Sequence, residues 1–299
     1  MTLRIIRCHK SRFDALVEFA GRWNPVAEHH IGYFGLTPED IRATLRMFNL
    51  PFDRAFRLAL DGNRIIGTLG ADIDRQLGRA WLYGPLVALD QDAEWDAAAD
   101  ALYAAVAAHL PADIHEHEMF VDAENRRVRA FAGRHGFTTR GEWAIYYLTP
   151  DRLAALPAAE AQPWDDRYAP QLDALHQRLF PRSNYTLNYM LEKRDEDRES
   201  TILLVAAAGD ALQGYFFGRV EREAGEAYVD LVGVDEGQRG TGLGRRLMLA
   251  GLSRMRGLDG IRQVNLTVAA GNDPALRLYD SLGFQRERNM VAFRRTPGD

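Results

Sequence analysis

Arg239-Gly240-Thr241-Gly242-Leu243-Gly244 follows an apolar strand expected over 227–234 and opens a helix expected over 242–255. Strand, glycine loop and helix in that order belong to a layered α/β arrangement. Glycines let the backbone turn tightly and present consecutive N–H groups, and the helix N-terminus adds partial positive charge. The segment reads either as an anion cradle for a phosphate or pyrophosphate, or as a plain glycine-rich turn. No Lys-Ser or Lys-Thr follows the glycines, which disfavours a Walker loop. The Gly240-x-Gly242-x-Gly244 spacing is not the Gly-x-Gly-x-x-Gly of a dinucleotide fold either.

A second segment lies downstream: Asn272-Asp273-Pro274-Ala275-Leu276-Arg277-Leu278-Tyr279-Asp280-Ser281-Leu282-Gly283-Phe284. Asp273 is a natural N-cap, Pro274 suits the first helical position, and Gly283 suits the left-handed stop. Together, the loop and this segment resemble the GNAT superfamily of acetyl-CoA-dependent acetyltransferases. The family's Arg/Gln-x-x-Gly-x-Gly loop matches 239–244, and its Asn…Tyr…Gly-Phe segment matches Asn272, Tyr279, Gly283 and Phe284. The resemblance covers roughly residues 165–295. It implies a mixed sheet splayed open between two central strands, with acetyl-CoA as co-substrate in the gap and no metal. Val232, Gly233 and Val234 would bond the pantetheine arm, and 239–244 would hold the pyrophosphate. Tyr279 falls in the family's general-acid position, where a phenol can protonate the leaving thiolate; the alternative is an aromatic packed in the core.

The base has two candidates. Strand alternation places Tyr228, Asp230 and Val232 on one face. The family's commonest glutamate slot holds Tyr228 here, which leaves Asp230 first and Glu226 second. A plain surface charge and a water-relayed proton remain open beside them.

The chain also carries a diverged repeat. Gly67 and Gly214 lie 147 positions apart (214 minus 67), and the same offset aligns Gly78 with Gly225, Asn125 with Asn272, and Gly136-Phe137 with Gly283-Phe284. Two tandem copies of one domain explain this, the first with about twelve extra residues near 37–50, where Thr37-Pro38-Glu39-Asp40 starts a helix. The expected organisation is a degenerate domain over 1–149, a linker over 150–163 and a catalytic domain over 164–299. Each is α/β: a mixed, splayed sheet flanked by helices, closed in the second copy by a strand at 290–294. The first copy has Gln91-Asp92-Ala93-Glu94-Trp95-Asp96-Ala97 opposite the glycine loop and Ala132 opposite Tyr279, so its site is expected to be lost.

Composition narrows the class. The 299 residues carry 37 Lys and Arg against 42 Asp and Glu, a net charge of −5, which does not fit a strongly basic nucleic-acid binder. One cysteine, Cys8, allows no internal disulfide and no multi-Cys metal site. The start, Met1-Thr2-Leu3-Arg4-Ile5-Ile6-Arg7, is broken by charges before a signal-peptide core could form, and no apolar run approaches bilayer length. His115 and His117 are expected on a solvated strand face rather than at a metal, and His29-His30 in loop packing. The expectation is a cytoplasmic monomer or homodimer, without nucleic-acid or membrane partners, that acetylates a primary amine of a small molecule. The alternatives are a mycothiol-synthase-like acetylation of an amino-sugar cysteine conjugate, acetylation of protein N-termini or lysines, and a non-catalytic acyl-CoA-binding module.

Overall fold

A computed structural model of the chain describes residues 2–48, 50–181, 183, 185–222 and 224–296, so Met1 of the N-terminal run quoted above lies outside it. The chain divides into two compact units: Met1–Trp143 with Arg288–Asp299, and Ala144–Glu287.

Unit 1 begins with β1 (Leu3–Arg7), α1 (Phe13–Trp23), α2 (Pro38–Arg46) and α3 (Phe52–Ala55). The Thr37 start of α2 is a full capping box, with the Thr37 side chain accepting from the Asp40 amide and Asp40 bonding back to the Thr37 amide. Then come β2 (Phe56–Asp61), β3 (Arg64–Asp74), β4 (Arg79–Val87), α4 (Asp92–Ala107), β5 (Glu116–Asp122) and α5 (Arg126–Arg134). β6 (Thr138–Leu148) leads out of the unit.

Unit 2 continues with α6 (Pro150–Ala155), β7 (Gln162–Pro163), α7 (Ala169–Leu179), α8 (Leu187–Glu196), β8 (Thr201–Ala208), β9 (Ala211–Glu221) and β10 (Glu226–Val234). It ends with α9 (Leu243–Arg256), β11 (Gln263–Ala269), α10 (Asp273–Ser281) and the start of β12 (Gln285–Arg295). Its strands run in the order β6-β11-β10-β9-β8-β7, and those of unit 1 in the order β1-β2-β3-β4-β5-β12. Both runs of strands are mixed and open, as expected, and each includes a parallel pair, β4–β5 and β10–β11. One buried cluster packs under α9 and α6, and a second, around Tyr168, Leu172, Tyr215 and Phe217, packs under α7 and α8 on the opposite face.

The repeat is exact in its later elements. β3, β4, β5, α5 and β6 reappear 147 positions on as β9, β10, β11, α10 and β12, boundary for boundary. Membership at the ends differs from the sequence expectation. The closing strand expected to complete the second copy instead pairs antiparallel with β5, from Met290↔Asp122 to Arg295↔His117, and buries Val291 and Phe293 in the core of unit 1. In return, Ala144, Tyr146 and Leu148 of β6 are buried in unit 2. Both strands carry buried residues among half-buried and exposed ones, so a pattern of hydrophobicity cannot say which copy each one completes. The stretch expected to link the domains contributes to unit 2 directly: Leu153 of α6 is buried there, and β7 pairs with β8. Among the described residues no helix is long and apolar enough to cross a membrane.

Candidate active site

The parallel pair of unit 2 comes apart. β10 pairs with β9 along its whole length, but with β11 only from Glu226↔Gln263 to Val229↔Leu266. Past Val229 the two strands diverge, leaving Val232, Gly233 and Val234 on an edge with no strand partner toward β11. Unpaired backbone N–H and C=O groups of this kind offer bonds to an extended ligand.

A bulge sits where the strands part. Val229 faces Gly218 and Leu231 faces Phe217, so Asp230 is the extra residue. It shifts the alternation by one. Ala227 and Val229 pack under α9, Leu231 packs under α7 and α8, and Val232 and Val234 return to the α9 side. Tyr228 and Asp230 therefore share the α7/α8 face, but Val232, expected with them, does not. Strict alternation fails because one residue is left over in the ladder.

The glycine loop runs directly into α9. Gly240 and Gly242 have φ of 77° and 83°, a left-handed backbone that other residues resist, and no atom lies within 4 Å of where their side chains would start. No side chain caps α9, so its first N–H groups are free to meet an anion. Leu243 is buried and anchors the turn, while Thr241 spends its hydroxyl on the Gln238 carbonyl at 2.8 Å. Arg239 is exposed, 3.6 Å from Glu236. A side chain at Gly244 would lie 3.6 Å from Val234 and 3.9 Å from Leu278, so loop, parted strand and α10 converge there.

Asn272, one residue before the expected position, is the N-cap of α10, its side chain accepting from the Ala275 amide at 3.3 Å. Tyr279 follows on that helix. Its ring lies 5.9 Å from that of Phe284 and 6.3 Å from that of Tyr146, within the α9-side cluster. Burial pushes its phenol up to about 12. Its hydroxyl has no hydrogen-bond partner among the described residues, so the ring packs while the proton stays uncommitted.

The two carboxylates differ sharply. Asp230 is clamped by Arg219, Nε to Oδ2 at 2.8 Å and Nη2 to Oδ1 at 2.9 Å, with only 5% of its side chain exposed. Arg219 also reaches the Tyr185 hydroxyl at 3.4 Å. Both Asp230 oxygens are committed, a geometry for holding a strand in place rather than for taking a proton. Glu226 is half-buried and accepts a hydrogen bond from the Tyr228 hydroxyl. Burial, then the bond to Glu226, raises the Tyr228 phenol far above its usual range. Arg219 and Tyr185 were not singled out in the sequence, and Tyr228 was noted only as the occupant of the family's glutamate slot. The tyrosine in the family's glutamate slot was the one available sign, and it points to a neighbour two residues away on the same face.

Residues 162–284 match the family model for the acetyltransferase (GNAT) family. That segment is a GNAT acetyltransferase domain. It is similar to the mycothiol acetyltransferase of Thermobispora bispora, 47% identical over 100 residues that cover 30% of this chain and 32% of that protein. The mycothiol acetyltransferase of Actinosynnema mirum is 41% identical over 97 residues, 32% of each chain. The matches thus span about a third of these relatives' length. Among solved structures, a GCN5-related N-acetyltransferase from Sphaerobacter thermophilus shares the fold at TM-score 0.69 and 16% identity, over 99% of this chain and 97% of that one. A tandem GNAT protein from the clavulanic acid biosynthesis pathway does so at TM-score 0.61 and 20% identity, over 100% and 99%. The fold is a tandem GNAT fold.

The first GNAT-like unit is built differently at each matching place. α4 starts at Asp92, so helix replaces the glycine loop, and Trp95 is buried where an open turn would be. Arg127 fills the mouth of that turn, donating to the Leu89 and Asp90 carbonyls at 2.6 and 2.5 Å. Ala132 is fully buried opposite Tyr279. Arg79, opposite Glu226, pairs with Glu116 at 2.8 Å. The expected solvated histidine face is also corrected. His117 is buried against Tyr103, whose hydroxyl lies 2.8 Å from Nδ1, and His115 precedes β5. Tyr103 of α4 covers a residue that its charged sequence neighbours suggested was exposed. His29 and His30 do pack, His29 edge-on to Trp23 and His30 buried with Nδ1 on the Asn24 carbonyl at 2.8 Å.

Proposed function

We propose that unit 2 moves acetyl from acetyl-CoA to a primary amine of a small molecule by direct attack, and that unit 1 has no catalytic role. The observation that carries this reading is the parted β10–β11 pair, opening beside a glycine-led helix with no side-chain cap, with a tyrosine hydroxyl behind it that has no hydrogen-bond partner among the described residues. Acetyl-CoA supplies an activated thioester. In this reading the N–H groups at the start of α9, with Gly240 and Gly242 leaving room, hold the pyrophosphate; Val232, Gly233 and Val234 bond the pantetheine arm; and Arg239, Thr241, Leu243, Gly244 and Asn272 shape the loop and the helix start beside it.

The amine nitrogen attacks the thioester carbonyl, the new C–N bond forms, and the C–S bond breaks. The amine's proton passes to Glu226, whose carboxylate is not committed to an arginine, with Tyr228 holding it in place. Tyr279 offers its proton to the departing sulfur. Asp230, the first candidate for the base from sequence, is reassigned to positioning because Arg219 occupies both its oxygens.

A narrower acceptor is favoured by one finding, the 47% identity to a mycothiol acetyltransferase across 100 residues. An amino-sugar cysteine conjugate with a free amine is thus the first acceptor to try. Incubation of the full chain with acetyl-CoA and a panel of such conjugates, simple amines and lysine peptides, following free thiol, tests the proposal. Amine-dependent thiol release is expected, and none with any acceptor would contradict it.

A further inference from the structure

The parallel pair of unit 1 parts as well. β4 and β5 pair only from Arg79↔Glu116 to Trp81↔Glu118. Beyond Glu118, however, the edge of β5 is not open. Ile31 forms an antiparallel bridge with Val121, the Gly32 amide donates to the Phe120 carbonyl at 2.7 Å, and the Asp122 amide donates to the His30 carbonyl at 3.2 Å. Alternation along a strand sends the backbone groups of 116, 118, 120 and 122 to one edge and those of 121 and 123 to the other. Glu116 and Glu118 face β4, and Ala123 donates to Asn289 on the β12 side. The segment 30–32 therefore lies on the β4 side of β5, inside the parting.

We infer that this segment is a built-in occupant: the chain's own backbone, bonded along the β5 wall, fills the parting in unit 1 whose counterpart in unit 2 takes an acyl-CoA arm along β10, so unit 1 is a self-filled cleft that binds no acyl-CoA. The segment is fixed at every residue. Asn24 accepts from the Ile31 amide at 2.8 Å and donates to the Gly35 carbonyl at 3.0 Å, and Asn125 donates to the His30 carbonyl at 3.4 Å. Ile31 is fully buried. Gly32 is packed so closely that a side chain there would start 2.6 Å from both Met290 and Phe120. The Tyr33 hydroxyl continues the contact to Glu118 at 3.0 Å.

Tethering decides the competition. A segment held on the same chain acts at an effective concentration on the order of millimolar. A free ligand would have to exceed that without the loop contacts that unit 1 has lost. In unit 2 no segment bridges β11 in this way among the described residues. The inference borrows the acetyl-transfer reading only to name what the segment displaces.

Amide hydrogen exchange on the full chain tests it. The Gly32 and Asp122 amides are expected to exchange at least about 100-fold more slowly than that of Ala269, the counterpart of Asp122 on β11. Saturating acetyl-CoA should leave both unchanged, in the wild type and in Gly242→Asp. Unprotected exchange at Gly32 and Asp122, or an acetyl-CoA-induced change at either in Gly242→Asp, would overturn the inference. Should acetyl-CoA alter no amide in the wild type, the acetyl-transfer reading of unit 2 fails while protection at Gly32 and Asp122 still supports the filled cleft.

Discussion

Tyr279 and the two carboxylates of β10 separate chemistry from scaffolding. Tyr279→Phe removes one hydroxyl with no hydrogen-bond partner among the described residues and keeps the ring packed against Phe284 and Tyr146. Turnover at saturating acceptor should fall about 100-fold or more, with acetyl-CoA affinity and melting temperature nearly unchanged. Because burial raises this phenol to about 12, it stays protonated through pH 10, and no alkaline loss of rate should trace to it below that. Asp230 and Glu226 should respond in opposite ways. Asp230→Ala strands Arg219 in a site where the aspartate is only 5% exposed, and should cost about 3 kcal/mol of stability, read by denaturant unfolding. Glu226→Gln should leave stability almost intact yet lower turnover about 100-fold or more. Turnover unchanged in Glu226→Gln would return the base to Asp230 or to water.

At the scale of elements, the loop–helix junction is the most exposed part of the account to test. Gly242→Asp forces a side chain onto a φ of 83° and puts a negative charge at the start of α9. Acetyl-CoA should bind at least about 10-fold more weakly, measured by calorimetry, with a stability change within roughly 1–2 kcal/mol. Gly242→Asn, which tolerates that backbone and adds no charge, should fall between the two. Much of this junction was legible in the sequence. Glycine spacing, the helix after it, the Asn272–Phe284 segment and the 147-residue offset are local patterns, and local patterns are what a sequence displays. The bulge at Asp230 was not legible, because a register shift depends on the partner strand, and it moved Val232 off the face that alternation assigned to it. The strand at 290–294 is legible as a strand but not as a partner of β5 in unit 1, since Val291 and Phe293 would satisfy either core. His30, Ile31 and Gly32 gave no sign of bridging Val121, a contact ninety residues away in sequence that only the folded parting of β4 and β5 creates.

For the whole molecule, acid should act on unit 1 first. His30 and His117 are both buried and both pushed down to about 4, by burial foremost and then by Arg288 and Arg295 respectively. Each stays neutral in the folded chain while its unfolded form gains a proton below about 6.5. Their stabilisation is therefore full above that pH and is lost as pH falls from about 6.5 to about 4, at roughly 1.4 kcal/mol per pH unit for each histidine. Denaturant midpoints followed through a Trp95 or Trp81 signal should fall across that window, and His30→Gln with His117→Gln should flatten the slope.

On this reading only unit 2, of the two copies of the fold, keeps a working cleft. Calorimetric titration of the full chain with acetyl-CoA tests it most directly. One site per chain is expected, weakened at least about 10-fold in Gly242→Asp. Two sites per chain, or a site that survives Gly242→Asp unchanged, would contradict it.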